Sequence, residues 1–296
     1  MNPRAQMRML PDGRRLHLHD GPIDLIIEAF GTPPAVRAAY RAACARFESA
    51  LDELCSELTF LRQSCVPESE WPCGNVARRM MAATLPYAPE FFITPMAAVA
   101  GAVAEELLAS MTAAADLDRA YVNDGGDIAL HLNTGEKFTV GMVERPDRPS
   151  LFGTTKLRSE DPVRGIATSG WRGRSFSLGI ADAVTVLADR AAPADAAATI
   201  IANAVDLPGH PAIVRIPANH LALDSDLGSR LVTQAVGGLS PVEIHEALSA
   251  GAATAERLRR IGLIRAAALC LAGESQVVGA VGSVKLSEAE RILVHA

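Results

Sequence analysis

Pairs of strand-like segments joined by Gly-containing turns alternate with long helical patterns in no regular order. This arrangement constrains the fold more than any other feature of the 296-residue chain. Residues Arg15–His19 alternate apolar and polar side chains, Asp20-Gly21 supplies hairpin chemistry, and Ile23–Phe30 reads as the returning strand. Thr32-Pro33 is an N-cap followed by proline at the first helical position. Val36, Tyr40, Phe47, Leu51, Leu54, Leu58 and Leu61 then recur near helical spacing, which predicts an amphipathic helix to about Arg62. Ser64–Gly74 is a loop rich in turn formers, and Val76–Leu85 a short helix. Thr94-Pro95 repeats the cap signature ahead of a helix over Met96–Met111, whose first half is nearly all small residues.

Arg119–Asn123, Asp127–Leu132 and Lys137–Val143 predict a three-strand meander with Gly-rich corners. Glu144–Val163 reads as an irregular surface excursion. Gly165–Ser169 and Ala183–Ala188 are strands, and Pro193 opens a helix to about Val205. A further helix is expected after Asp224, another over Pro241–Ile261, and a closing hairpin over Leu269–Val278. Strand pairs mixed with helices favour an α+β fold over a βαβ progression. The length suits one domain, with room for two closely packed subdomains.

A composition of 49% hydrophobic and 21% charged residues leaves no room for long disorder. A net charge of −6 argues against nucleic acid or an anionic membrane as partner, since either favours a basic face. Met1–Leu16 has no apolar core of signal-peptide length, and no later run is expected to reach the roughly 18 apolar residues of a spanning helix. The 5 cysteines show no C-x-x-C spacing, so reduced thiols in a cytoplasmic protein are expected and a zinc site is not. Cys65 and Cys73, in a Pro/Glu/Ser-rich loop, are candidates for a reactive thiol.

Three segments could carry chemistry. Asp195, Thr199 and Asn203 are spaced i, i+4, i+8 and form one polar stripe on an otherwise apolar helix. A carboxylate one turn from a hydroxyl suits a hard cation such as Mg²⁺, which would neutralise a phosphate-bearing ligand. The alternative is a solvated face with Asp195 placed by the helix dipole. In Asn123-Asp124-Gly125-Gly126-Asp127, Gly125 and Gly126 can take positive φ and present bare N–H groups, with Asn123 and Asp127 beside them; for an isolated Asp-Gly-Gly, a plain hairpin turn is the favoured reading. Thr168, Ser169, Gly170, Arg172, Arg174 and Ser175 combine hydroxyls, flexible backbone and guanidinium forks, as an anion cradle or a solvated basic loop would. No P-loop, G-x-G-x-x-G, H-E-x-x-H or G-x-S-x-G element occurs, and His131 and His245 receive no role. No residue is assigned as catalytic.

Together these segments resemble the ApbE family, the FAD:protein FMN transferases. The Asn/Gly-Gly-Asp turn (Asn123, Gly125, Gly126, Asp127), the Thr-Ser-Gly element (Thr168, Ser169, Gly170) and a Val-Thr-Val strand (Val184, Thr185, Val186) followed by Ala-Asp-Ala-x-x-x-Thr (Asp195, Thr199) occur in the family's order. Phe92–Glu106 and Gly165–Leu207 further resemble a smaller, cytosolic ApbE-like group. Ala100-Gly101-Ala102 stands where the transferases have a Lys-Gly helix, without the lysine.

The resemblance implies a T-fold-related α+β architecture of antiparallel sheets and helices. It implies Mg²⁺ held by Asp195 and Thr199, with the Gly-Gly-Asp and Thr-Ser-Gly turns bordering FAD or FMN. Transferases of this kind move FMN from FAD to a Ser or Thr of a target protein and release AMP. Exported relatives carry a lipoprotein signal, and this sequence shows none, so a cytoplasmic location is expected. The family's His-x-x-Asp-Pro-x-Thr-Gly element has no counterpart: Trp171–Ala183 contains no histidine, so the base expected from the resemblance is missing.

The leading expectation is a Mg²⁺-dependent protein acting on FAD or a related phosphate-bearing small molecule, with Arg172 or Arg174 neutralising phosphate. The alternatives are a non-catalytic flavin-binding or assembly protein, and a factor in sulfide assimilation and homocysteine formation that uses Cys65 or Cys73. The helices from Pro33 and Ala97 offer surfaces for a homodimer.

Overall fold

A computed structural model of the chain describes residues 4–67, 70–143, 151–279 and 285–286. In chain order the elements are β1 (Gln6–Met9), β2 (Leu16–Asp20), β3 (Ile23–Phe30), α1 (Pro33–Ser56), α2 (Leu58–Leu61), α3 (Asn75–Thr84), α4 (Val99–Ala114), β4 (Arg119–Asp124) and β5 (Asp127–Leu132). They continue as β6 (Lys137–Val143), β7 (Leu151–Arg158), β8 (Gly165–Ser169), β9 (Ala183–Ala188), α5 (Ala191–Ala204), β10 (Ile213–Pro217), α6 (Ala218–Leu221), β11 (Leu231–Val236), α7 (Pro241–Arg260), β12 (Ala266–Leu271), β13 (Glu274–Val278) and β14 (Lys285–Leu286). Helices packed with antiparallel strands make this an α+β protein. The chain forms two compact units, Met1–Lys137 with Arg158–Ala167 and Ala188–Ala196, and Phe138–Leu157 with Thr168–Leu187 and Ala197–Ala296.

In the first unit the strands follow the order β1-β2-β3-β4-β5-β8. Alternation places Leu16, Leu18, Leu25 and Ile27 on the buried face. Helices α1, α3 and α4 pack together, and α4 covers β4 and β5. Helix α1 begins as expected, with Pro33 at its start and the Thr32 hydroxyl accepting from the Ala35 N–H at 3.4 Å. Its buried stripe is Ala39, Ala43, Phe47, Ala50 and Leu54.

The helix stops at Ser56 rather than near Arg62. Glu57 leaves the helical conformation, and its carboxylate accepts from the Cys73 N–H at 2.6 Å and the Gly74 N–H at 2.9 Å ahead of α3. This carboxylate holds the residue that precedes α3, Gly74, which lies 17 residues later in the chain, a partnership invisible to local periodicity. Thr94 also departs from expectation: its side chain makes no cap hydrogen bond, and Pro95–Ala98 is a 3₁₀ turn leading into α4.

The span Pro95–Ala114 is long and apolar enough to cross a membrane by length and composition, although Glu105 and Glu106 break it well short of 18 consecutive apolar residues, as expected. Over half of that span (56%) is buried in the fold, and Glu105 and Glu106 on it are ion-paired, so it is a core helix here.

In the second unit β9, β12 and β13 pair antiparallel, with α7 packed on β12 and β13. Ser240 and Glu243 form a capping box at the start of α7, as its sequence signature requires. Strands β6, β7 and β14 form a separate sheet in the order β14-β7-β6. The three-strand meander is therefore wrong at its last strand: β5 is paired through Ile128↔Ile166 and Ala129↔Gly165 with β8, which occupies the edge β6 would need. Within the expected surface excursion, Leu151–Arg158 is a strand, while residues 144–150 lie outside the described residues.

The helix expected after Asp224 is absent. Ala222–Arg230 is a chain of turns closed by Ser225 N–H to Ala222, Gly228 N–H to Ser225 and Arg230 N–H to Leu227, with Gly228 at φ 57°. It joins the strands of the β10–β11 hairpin, which the periodicity did not reveal.

Candidate functional site

The starts of α4 and α5 meet in the first unit with almost no side chain between them. A Cβ at Gly101 would stand 2.5 Å from the Ala191 carbonyl oxygen and 2.8 Å from Ala192 Cα. At that crossing each helix supplies an acid to the other. Asp195 of α5 accepts the Gly101 N–H on Oδ2 at 3.0 Å and is also hydrogen-bonded by the Ala100 N–H. Glu105 of α4 accepts the Ala192 N–H on Oε1 at 2.8 Å. Both carboxylates thus satisfy amides in the first turn of a neighbouring helix, where the dipole favours negative charge.

Asp195 is partly buried. Burial pushes its carboxyl up to about 7; the charge of nearby Asp124 adds to the rise, and the Gly101 and Ala100 amides oppose it. No Lys, Arg or His among the described residues pairs with Asp195. It is therefore no solvated first-turn acid, and the alternative drawn from the sequence does not describe it.

Asp124 closes β4, on the buried face shared with Ala120 and Val122. Strand alternation could have flagged it, but the turn glycines beside it drew attention instead. Gly125 and Gly126 form the two-residue turn at φ 62° and 116°, as expected. The Asn123 Oδ1 accepts the Gly126 N–H at 2.8 Å, so that amide and that side chain serve the turn. Gly125 is exposed, and Gly126 and Asp127 are partly exposed.

Thr199 lies one turn after Asp195 on α5 and is partly buried. Asn203 serves a different purpose, its Oδ1 accepting the Leu178 N–H at 2.9 Å and the Ser177 hydroxyl at 3.2 Å. The polar stripe thus divides between Asp195, joined to α4, and Asn203, fastening a loop of the second unit.

In that unit the Thr168 hydroxyl is 2.9 Å from the Thr185 hydroxyl across two strands. Gly170 is required by packing, since a Cβ there would approach the Asp182 carbonyl to 2.4 Å. Arg172 is held by Asp182, with Nε 2.5 Å from Oδ1, and its guanidinium lies over Trp171, 4.3 Å from the ring centre. Asp182 also receives the Trp171 Nε1–H at 3.2 Å and the Ala272 N–H at 2.7 Å. Arg172 is thereby engaged in holding its loop, whereas Arg174 and Ser175 are exposed and Ser169 is partly buried.

Two cysteine expectations part company. Cys65 is buried, with its Sγ 3.0 Å from the Thr84 hydroxyl and its thiol pushed up by desolvation, which removes it as a reactive thiol. Cys73 is exposed.

Among the described residues no three His, Cys, Asp or Glu side chains gather as a metal-binding group. A cation beside Asp195 would therefore draw on one or two carboxylates plus neutral and ligand oxygens. That donor set fits Mg²⁺, which commonly binds through one or two carboxylates together with phosphate oxygens and water.

The curated relatives include a UPF0280 protein of Methanopyrus kandleri, 40% identical over 129 residues (44% of this chain, 48% of the relative). Another, from Methanocella arvoryzae, is 36% identical over 146 residues (48% and 56%). The chain spans about half the length of the curated relatives it matches. Among solved structures, a mutant of the flavin transferase ApbE from Vibrio cholerae aligns over 94% of this chain and 97% of that one, with 13% identity and a TM-score of 0.48. The family model described as "AbpE bacteria" matches residues 7–277, a span holding the Gly-Gly-Asp turn, the Thr-Ser-Gly element and the Asp195 helix alike. The chain belongs to this ApbE-like family.

Proposed function

We propose that the chain binds a flavin nucleotide with Mg²⁺ and cleaves the pyrophosphate of FAD. One observation carries this reading: Asp195 is desolvated, accepts the Gly101 N–H at 3.0 Å, and pairs with no Lys, Arg or His among the described residues. A desolvated carboxylate in that setting favours a proton or a cation beside it. Asp195 and Thr199 would hold the ion, which when bound supplies positive charge to the phosphates. The Asn123, Gly125, Gly126 and Asp127 turn would border the nucleotide. In the second unit, exposed Arg174 and Ser175 would be free to meet an anion, whereas Arg172 is held by Asp182. In the reaction an acceptor oxygen, from water or a protein hydroxyl, bonds to the FMN phosphorus while the bridging P–O bond breaks and AMP leaves.

The test is incubation with FAD and Mg²⁺ followed by chromatography of bound flavin and free AMP. Release of AMP that falls about 100-fold or more in Asp195→Asn supports the assignment. Bound flavin without AMP would leave a binding protein, a reading favoured by the absence of histidine from Trp171–Ala183. Absence of both bound flavin and AMP would overturn the proposal.

A stability measurement accompanies it. The folded pKa of Asp195 lies above its unfolded value near 3.9, so the folded chain holds the extra proton between the two. Stability of the metal-free protein should therefore fall as pH rises from about 4 to about 7. Asp195→Asn lacks this slope while still offering an oxygen to the Gly101 N–H. In chelator at pH 8 it should be more stable than the parent by ~2 kcal/mol, about 4 °C in Tm, with the advantage shrinking at pH 5. An equal Tm difference at both pH values would contradict the arrangement.

A further inference from the structure

The reading of Asp195 as a cation ligand leaves open what holds its helix turn in place. We propose that Glu105 is a positioning residue for Asp195, acting through the Ala192 amide; this rests on that reading. Sequence reasoning overlooked Glu105, although an acid pair within an otherwise small and apolar helix is a signal of buried partners.

Three contacts fix the first turn of α5. The Gly101 backbone presses on Ala191 and Ala192 from α4, leaving no room for a Cβ. Gly165 presses from the start of β8, where a Cβ would fall 2.0 Å from the Arg190 carbonyl carbon and 2.3 Å from the Ala191 nitrogen. These contacts are repulsive and stop the turn from advancing. Glu105 supplies the directional attraction, accepting the Ala192 N–H at 2.8 Å. Pro193 has no N–H to offer and the Ala194 N–H is taken by the Arg190 carbonyl, so the Ala192 amide is a natural point at which to grip this turn.

Glu105 is itself fixed. It is 8% exposed, and its second oxygen lies 3.3 Å from Arg79 Nη1. Arg79 is in turn bound to Glu106, and Glu106 to Arg46 of α1. The Ala192 amide is thus tied through two acids and two arginines to the helical layer of the first unit, three residues before Asp195. Asp195 returns the contact at Gly101, so a shift of α5 along its axis loosens both bonds together. Partners that orient a metal ligand from behind typically change affinity 10- to 100-fold when removed.

The experiment uses the full chain and two variants, Glu105→Ala and Glu105→Gln. Glutamine keeps an oxygen for the Ala192 N–H but gives up the charge facing Arg79, so both variants should melt lower than the parent. Titration with Mn²⁺ alone, followed by calorimetry, should show affinity about 10-fold weaker in Glu105→Ala and within about 3-fold of the parent in Glu105→Gln. Amide exchange at Gly101 should follow the same split, fast in the alanine variant and protected in the glutamine variant. A merely structural role would make both readouts track Tm in both variants, and that result overturns the proposal. If the parent chain takes up no cation, the reading of Asp195 as a ligand falls. Gly101 exchange then decides the positioning role, and unchanged protection in Glu105→Ala overturns it.

Discussion

Gly101→Val is expected to keep the chain from accumulating in its folded form. The atoms that a side chain would meet are the carbonyl carbon and oxygen of Ala191, at 2.6 and 2.5 Å, and Ala192 Cα at 2.8 Å. These are backbone atoms at the first turn of a helix, with no rotamer to yield. The start of α5 must retreat, and the retreat breaks the Gly101–Asp195 and Ala192–Glu105 hydrogen bonds together. Overpacking alone costs about 1–3 kcal/mol, and each hydrogen bond to a charged group about 1.5–3 kcal/mol. The sum, about 4–9 kcal/mol, is comparable to the whole stability of many proteins.

Gly101→Ala tests the same contact more gently, with an expected loss of about 3 kcal/mol in denaturant unfolding. Gly238→Ala is the control: nothing lies within 4 Å of a Cβ there, so its midpoint should move by under ~0.5 kcal/mol. An unchanged midpoint for Gly101→Ala would show that the two helices can part freely, and the account of the site would fail with it.

The second large effect is expected at Glu106. Its carboxylate is 8% exposed and bridges Arg46 Nε at 2.9 Å and Arg79 Nε at 3.0 Å. Removing an acid from a buried cluster leaves guanidinium groups without full compensation, which commonly costs 3–5 kcal/mol. Here Arg46 keeps Glu53 and Arg79 keeps Glu105, so Glu106→Ala should lose about 3 kcal/mol, the lower end of that range.

The pH dependence has a definite sign. Burial pushes the Glu106 carboxyl up, but hydrogen bonds from Arg46 and Arg79 outweigh it and hold the group below its ordinary value. A depressed pKa adds stability that is complete above the unfolded value near 4.3 and is lost as pH falls through the folded one. The stability gap between the parent and Glu106→Gln should therefore be constant at neutral pH and narrow below about pH 4. A gap that widens on acidification would mean the carboxylate is not held by its arginines.

Much of the fold was legible because the signals are local. The Asp20-Gly21 and Gly125-Gly126 turns, the Thr32-Pro33 cap and the stripe of α1 each depend on residues close in sequence. The failures share one cause. Lys137–Val143 has strand propensity, yet nothing in its own residues names its partner. The break at Glu57 depends on amides at Cys73 and Gly74, and the turns after Asp224 depend on hydrogen bonds spanning the β10–β11 connection.

The candidate site divides in the same way. The sequence by itself determined that Asp195 and Thr199 lie one turn apart, that Gly125 and Gly126 turn with positive φ, and that an α+β framework carries them. Only the tertiary structure decided that Asp195 is gripped by the amides of α4, that Asp124 is the acid near it, that Arg172 belongs to Asp182, and that Glu105 holds the Ala192 amide. Helical spacing and turn chemistry are properties of neighbouring residues. The environment of a carboxylate, which sets its charge and its use, is made by residues about 70 to 90 positions away that only folding brings beside it.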